Sequence, residues 1–213
     1  TSGGQAFYRL TTTNQSAEVT FLDAAQATYY RSESANVTYS NNFTVTDFRV
    51  YSSSSPVTHT FGAGATFAFE EMYLLGQAGA TQHLESTSGS TWNLNVSKVA
   101  YVKYVVAQYS DASGGKEIIA ARSTDSGNNA NWNFGETWSF WTGAGGSSFH
   151  TAGSWDPAGV PGPTTHVLID DPDTCTISAA ATVFTALYWP AAITSLDPRM
   201  SAIPTIQSSG RGK

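Results

Sequence analysis

Glu70-Glu71, Asp111, Glu117 and Asp125, with Lys103, Lys116 and Arg122 nearby in the chain, have the side chains that glycan cleavage would need. One carboxyl protonates the leaving oxygen, a second acts as base or nucleophile, and a cation stabilises an enolate. Their spacing argues against convergence. The acids recur at dissimilar intervals, mostly beside Gly/Ser loops, where charged side chains are ordinarily solvated. Asp170-Asp-Pro-Asp173 is the one acidic cluster, and Asp170, Asp171 and Asp173 form a weak Ca²⁺ candidate, because a good site needs six to eight oxygens. The cluster lies between the strand-like runs Val167-Leu-Ile169 and Cys175-Thr-Ile177, so a plain turn is the simpler reading. His59, His83, His150 and His166 stand singly, without metal-ligand spacing. Cys175 alternates within Thr-Cys-Thr-Ile-Ser and reads as a small core residue with no base beside it. No catalytic residue, metal or cofactor is expected.

Binding chemistry is a second possibility. Trp132, Trp138, Trp141 and Trp155 fall within 24 residues in Gly-rich sequence. They could stack against sugar rings, but covering the exposed end of a repetitive β-structure is the favoured reading. The pairs Thr11/Thr13, Thr44/Thr46 and Thr58/Thr60 would suit an ice-binding array only if they stacked in register, which a loose repeat opposes. Sequons at Asn14, Asn36, Asn42 and Asn95 are candidate glycosylation sites, although a Thr-, Ser- and Asn-rich chain produces such triplets by chance.

The elements that must position these residues are strands. The chain has 213 residues, 40% hydrophobic and 13% aromatic, enough for a real core and against disorder. Only 12% are charged, about half the usual share, and the net charge is -6. Without a basic block, nucleic acid is excluded as a partner. No run approaches 18 apolar residues, so no membrane-spanning helix is expected. The lone cysteine excludes an internal disulfide and a cysteine zinc cluster. A start at Thr without a leader suggests a processed chain or a piece of something longer.

Helical periodicity is nearly absent. Runs of four to eight β-branched and aromatic residues alternate between Gly, Ser and Asn clusters: Glu18–Leu22, Phe43–Val50, Val57–Phe61, Thr66–Phe69, Trp92–Val96, Ala100–Val106 and Glu117–Ala120. Comparable centres at Val19, Val45, Phe67 and Trp92 recur roughly every 20–26 residues, the length of one solenoid coil. A β-sandwich is the alternative, but the Asn-Gly and Asp-Gly dipeptides of hairpin turns are missing. An all-β parallel β-helix is therefore expected.

Six motifs occur in a meaningful order: Gly62-Ala-Gly-Ala-Thr-Phe67, Leu75-Gly-Gln-Ala-Gly79, Ser90-Thr-Trp-Asn-Leu-Asn-Val-Ser97, Val102-Lys-Tyr-Val105, Ser110-Asp-Ala-Ser-Gly-Gly115 and Asp125-Ser-Gly-Asn-Asn-Ala-Asn-Trp132. The series resembles the body and end of repeat domains in large secreted bacterial surface proteins predicted to form right-handed parallel β-helices. Trp141-Thr-Gly-Ala-Gly-Gly146, Trp155, Val160-Pro-Gly162, Val167–Asp170 and Cys175-Thr-Ile177 resemble the opening of the same kind of domain, and Gly3–Tyr8 a rung from its middle. The resemblance implies a fold and an extracellular structural role without catalytic activity. The chain departs from the pattern because its closing segment precedes its opening one.

That inversion divides the chain into a solenoid body at 1–134, an opening segment at 135–190, and a Pro-broken arm at 191–213. The expected function is a non-enzymatic, extracellular cell-surface subunit that polymerises head to tail, the opening segment of one copy completing the body of the next. The expected contact residues are Phe7, Tyr8, Trp132, Trp138, Trp141, Trp155, Trp189, Ile203 and Ile206, with both chain ends held in order. The partner is the chain itself, with surface glycans as a further candidate. The alternatives are a fragment of a large adhesin or surface-layer protein, a carbohydrate-binding module, or a polysaccharide lyase.

Overall fold

The computed structural model describes residues 5–13, 18–169, 175–176 and 185–188. The chain divides into two compact units, 1–135 and 136–213, against an expected boundary at 134/135.

Unit 1 is built from strands that alternate between two sheets. The first sheet takes β1 (Gln5–Thr12), β3 (Ala25–Glu33), β5 (Phe43–Tyr51), β7 (Thr66–Leu75) and β9 (Trp92–Lys103), then β11 (Ser110–Asp111), β12 (Ile118–Ala121) and β14 (Trp132–Asn133). The second takes β2 (Glu18–Phe21), β4 (Asn36–Tyr39), β6 (Val57–Phe61), β8 (Gln82–Ser86), β10 (Val105–Ala107) and β13 (Thr124–Asp125). Every ladder between these strands is parallel, the arrangement of a β-helix; the pairing of a sandwich would be antiparallel. Coil length is uneven: register partners Ala25↔Phe43 are 18 residues apart and Met72↔Ala100 28, while the last step, Ile118↔Trp132, covers only 14. The centres read from sequence do not trace one column. Val19 belongs to the second sheet opposite Val37, and Val45 pairs with Phe69 rather than Phe67.

The same tight turn joins the sheets on three of the coils. Ser34, Tyr104 and Arg122 follow the register-equivalent residues Glu33, Lys103 and Ala121 and adopt φ of 52°, 53° and 48°. A single left-handed residue reverses the chain, and its N–H continues the ladder to the next coil, as in Ser34 N–H to Tyr51 O at 2.8 Å. For this reason the expected run Ala100–Val106 is two strands broken at Tyr104. Glycine is required at Gly62 because an added Cβ would lie 2.2 Å from the Ser40 carbonyl oxygen of the coil below.

Stacked coils place like side chains above one another. Tyr30, Phe48 and Phe69 stack with centroids 5.0 and 4.2 Å apart, while Phe21, Tyr39, Phe61 and Trp92 form a second column at 5.5, 5.1 and 4.1 Å. These rings fill the interior with Phe43, Phe67, Leu84 and Ile118.

Unit 2 contains β15 (Trp138–Trp141), β16 (Trp155–Asp156), β17 (His166–Ile169) and β18 (Thr185–Tyr188), in sheet order β16-β15-β17-β18. β15, β17 and β18 are parallel and β16 is antiparallel at the edge. The steps Trp138↔His166 and His166↔Thr185 cover 28 and 19 residues, within the range of unit 1. Trp141, Phe149, Trp155, Val167 and Ile169 form its core, with Cys175 packed beside them.

Candidate functional site

The long strands of the first sheet change phase partway along. In β5 Phe43 and Val45 point inward, and then Phe48 and Val50 do; in β7 Phe67 and Phe69 are followed by Met72 and Leu74. Strict alternation would need one residue between inward positions. Here two intervene, Thr46-Asp47 and Glu70-Glu71, with Thr28-Tyr29 in β3 at the same level. The strand bends there, and the outer surface becomes concave along a line crossing the coils. The break at Phe69/Glu71 is a bulge in the ladder with β9.

On one side of this elbow lies the most chemically dense surface of unit 1. Arg49 donates from Nε and Nη2 to both carboxylate oxygens of Asp47 at 2.6 and 2.7 Å and lies 4.6 Å from the Tyr73 ring centroid. Tyr73 donates its hydroxyl to Glu71 Oε2 at 2.9 Å and stacks on Tyr101 at 5.2 Å. One coil back, Arg31 pairs with Glu33 and lies 5.0 Å from the Tyr51 centroid. Burial, with the Glu71 carboxylate beside it, pushes the Tyr73 hydroxyl far above its ordinary pKa. Burial acts to lower the Arg49 pKa, but the hydrogen bonds and charge of Asp47 outweigh it and raise it. Asp47 and Glu71 are held as acceptors for Arg49 and Tyr73, an arrangement that suits a rigid face better than proton transfer.

Sequence reasoning passed over Asp47 and Arg49 because they sit inside an alternating strand. Their i, i+2 spacing in a strand, repeated by Arg31/Glu33 and Glu71/Tyr73, was the available signal. The acids singled out from sequence do not converge. Asp111 accepts from Ser113 N–H at 2.9 Å, and hydrogen bonds from Ser113 hold its carboxyl below the usual value. Asp125, in the other sheet, accepts from Gly127 N–H and Asn129 Nδ2 at 2.8 and 2.6 Å. Glu70 pairs with Lys98 on the surface, Glu117 is exposed, and Arg122 donates to the Tyr104 hydroxyl at 2.6 Å. Lys103 pairs in register with Leu75.

Asparagines of the turns bind backbone rather than ligand. Asn36 and Asn42 accept from Thr58 and Thr66 N–H, each at 2.8 Å. Asn129 Nδ2 donates to Ala107 O, and its Oδ1 accepts from Ser110 N–H. Of the sequons, Asn36 and Asn42 are exposed and Asn95 is half-buried. Thr44 faces Gln26 and Ala68, and Thr58 faces His83, so these threonines do not form a registered array.

The expected contact residues separate. Phe7, 38% exposed, and Tyr8, 76% exposed, lie on edge strand β1. Trp132 is half-buried, stacks on Phe134 at 5.6 Å, donates to Ser110 Oγ at 3.1 Å and packs on the last coil of the core, a capping arrangement. Trp141 and Trp155 fill the interior of unit 2, where they meet edge to face at 5.0 Å and Trp155 Nε1 donates to Phe149 O. Their burial corrects the expectation that they offer a contact surface. Trp138 stacks on His166 at 4.9 Å, with Glu136 Oε2 3.3 Å from His166 Nε2. Trp189, Ile203, Ile206, Asn14, Asp170, Asp171, Asp173, the 191–213 arm and the chain ends lie outside the described residues.

Among the described residues, no group of three or more His, Cys, Asp or Glu is placed to hold a metal ion. No helix there is long and apolar enough to cross a membrane. Compared with family models, curated proteins and solved structures, the chain matches none.

Proposed function

We propose that the protein is a non-enzymatic structural subunit of an extracellular surface assembly, joined to further copies of itself head to tail. One observation carries the reading: among the described residues, no coil lies over the first coil of unit 1. Among the described residues, β1 and β2 are the edges of their sheets, and their outward N–H and C=O groups can template a further parallel strand. Phe7 belongs to the inward column Ala27, Val45, Phe69 and Val96, whose members are 7%, 1%, 3% and 0% exposed, yet Phe7 itself is 38% exposed. Leu22, just past β2, is 71% exposed. Covering what remains exposed of Phe7 and Leu22 would contribute roughly 0.5–1 and 1–2 kcal/mol. At the opposite end, the half-buried Trp132 and Phe134 pack over the core.

Unit 2 is a fitting occupant. Its three parallel strands have coil steps in the range of unit 1, so a strand of a neighbour's unit 2 can continue the ladders of β1 and β2. Such a contact joins two different surfaces and propagates. The test is sedimentation velocity with negative-stain imaging of the full chain and of Phe7→Asp/Leu22→Lys. Wild type should form concentration-dependent linear assemblies, and the double variant should sediment as a folded monomer. A wild-type monomer at every concentration, or unchanged assembly of the variant, would overturn the proposal.

A further inference from the structure

The elbow in the first sheet forms a groove of about 390 Å³ on unit 1, which begins at edge strand β1, where Ala6 and Phe7 line it. Two rows of outward side chains line it. Ala6, Gln26, Thr44, Ala68 and Asn95 are register partners on β1, β3, β5, β7 and β9. Thr28, Thr46, Glu70 and Ser97 form the second row, two residues further along each strand. The groove therefore runs across the strands, along the stacking axis. Five strands about 4.8 Å apart make it roughly 19 Å long.

Hydroxyls and amides supply its polar groups, beside the apolar Ala6, Phe7, Ala27, Val45, Ala68 and Phe69. Gln26 and Thr28 on β3, Thr44 and Thr46 on β5, and Asn95 and Ser97 on β9 offer donors and acceptors, and none of these side chains is hydrogen-bonded to another described residue; β1 contributes Ala6, and β7 contributes Ala68 and Glu70. Charge along the elbow cancels: Arg9, Arg49 and Lys98 stand against Asp47, Glu70 and Glu71. Asp47 is already held by Arg49, Glu70 by Lys98, and Glu71 by the Tyr73 hydroxyl. A polyanion would meet three carboxylates, and a polycation three bases. A linear ligand that is uncharged, rich in hydroxyls and repetitive at about the spacing of the rungs meets neither obstacle.

We infer that this groove binds an extended neutral polysaccharide along the axis of the solenoid. Each sugar residue lies over about one rung, its hydroxyls bonded to the Thr, Gln and Asn side chains of the two rows. The ladder of successive coils fixes the backbone positions from which those side chains project, so the strands need no rearrangement to bind. The repeat of the protein is matched to the repeat of the polymer.

Native affinity electrophoresis of the full chain in gels containing galactomannan, xyloglucan or polygalacturonate tests this. Thr46→Trp fills the groove at its middle, and Thr44→Arg obstructs it from the other row should the first variant fold poorly. Thr60→Trp, on the outer face of β6, is the control. At least one neutral polymer should retard the wild type and Thr60→Trp, with apparent affinity falling at least about tenfold in a groove variant whose melting temperature is unchanged. Retardation by neither neutral polymer, equal retardation by polygalacturonate, or undiminished binding by a folded groove variant would overturn the inference. Monomeric wild type that still binds galactomannan would sink the assembly reading and leave this one standing.

Discussion

Acidification should weaken unit 1 through His59. This side chain is fully buried on β6, stacked on Tyr39 with centroids 6.0 Å apart. Tyr39 donates its hydroxyl to Tyr30 at 2.9 Å, and Tyr30 lies 3.2 Å from Thr12 Oγ1. His59 Nδ1 is 3.3 Å from the Tyr39 hydroxyl; because that proton goes to Tyr30, Nδ1 must be the donor. The second nitrogen, Nε2, has no partner. Protonating it would bury a charge without an acceptor, and burial accordingly lowers the His59 pKa from 6.5 to about 3. Burial also keeps Tyr39 protonated, with its pKa well above the ordinary value.

The sign follows from proton binding. Below pH 6.5 the unfolded chain takes up a proton at this position and the folded chain does not, so stability falls with pH until the folded pKa is reached. Between pH 7.5 and 5.0 the loss is about 2 kcal/mol, near 1.4 kcal/mol for each pH unit below 6.5. The figure is insensitive to where below pH 4 the folded value lies. Urea denaturation of wild type and His59→Phe at both pH values would measure it. Phe keeps the stack on Tyr39 and cannot titrate, so the difference between the two pH differences isolates His59 from the other groups. It should come to about 2 kcal/mol. An identical pH dependence in the two proteins would refute the assignment of a neutral, partnerless Nε2.

Two further predictions concern the solenoid itself. Phe48→Ala removes the middle ring of the Tyr30–Phe48–Phe69 column and should cost about 3–5 kcal/mol, read as a lowered urea midpoint. A loss under 1 kcal/mol would mean that the stack is not the core of the coil. Gly62→Ala places a Cβ against the Ser40 carbonyl and should destabilise by about 1–3 kcal/mol, with faster hydrogen exchange in β4 and β6 first. Unchanged exchange there would show that the turn has room to move.

The composition and the short alternating runs were sufficient for the all-β class and for parallel rather than hairpin pairing between the strands of unit 1, because strand propensity and turn chemistry are local. The runs Phe43–Val50 and Val57–Phe61 coincide closely with β5 and β6. The boundaries of Ala100–Val106 were not legible, since a left-handed Tyr104 leaves no mark comparable to glycine. Coil register was not legible either. It depends on which residues meet across 14 to 28 positions, and loops of unequal length absorb the difference.

The tertiary structure alone decided which polar residues share a surface. Asp47 and Glu71 are 24 positions apart, yet they are neighbours once β5 and β7 pair. The phase slip that turns Thr46-Asp47 and Glu70-Glu71 outward together becomes a groove only when several coils repeat it at one level. It likewise made His59 a core residue and enclosed Trp141 and Trp155 within unit 2, whereas Phe7, in an inward column, remains exposed because no described coil lies over it. Sequence thus determines which side of its own strand a residue can occupy. What lies beside it depends on parallel stacking, which joins positions that no local pattern connects.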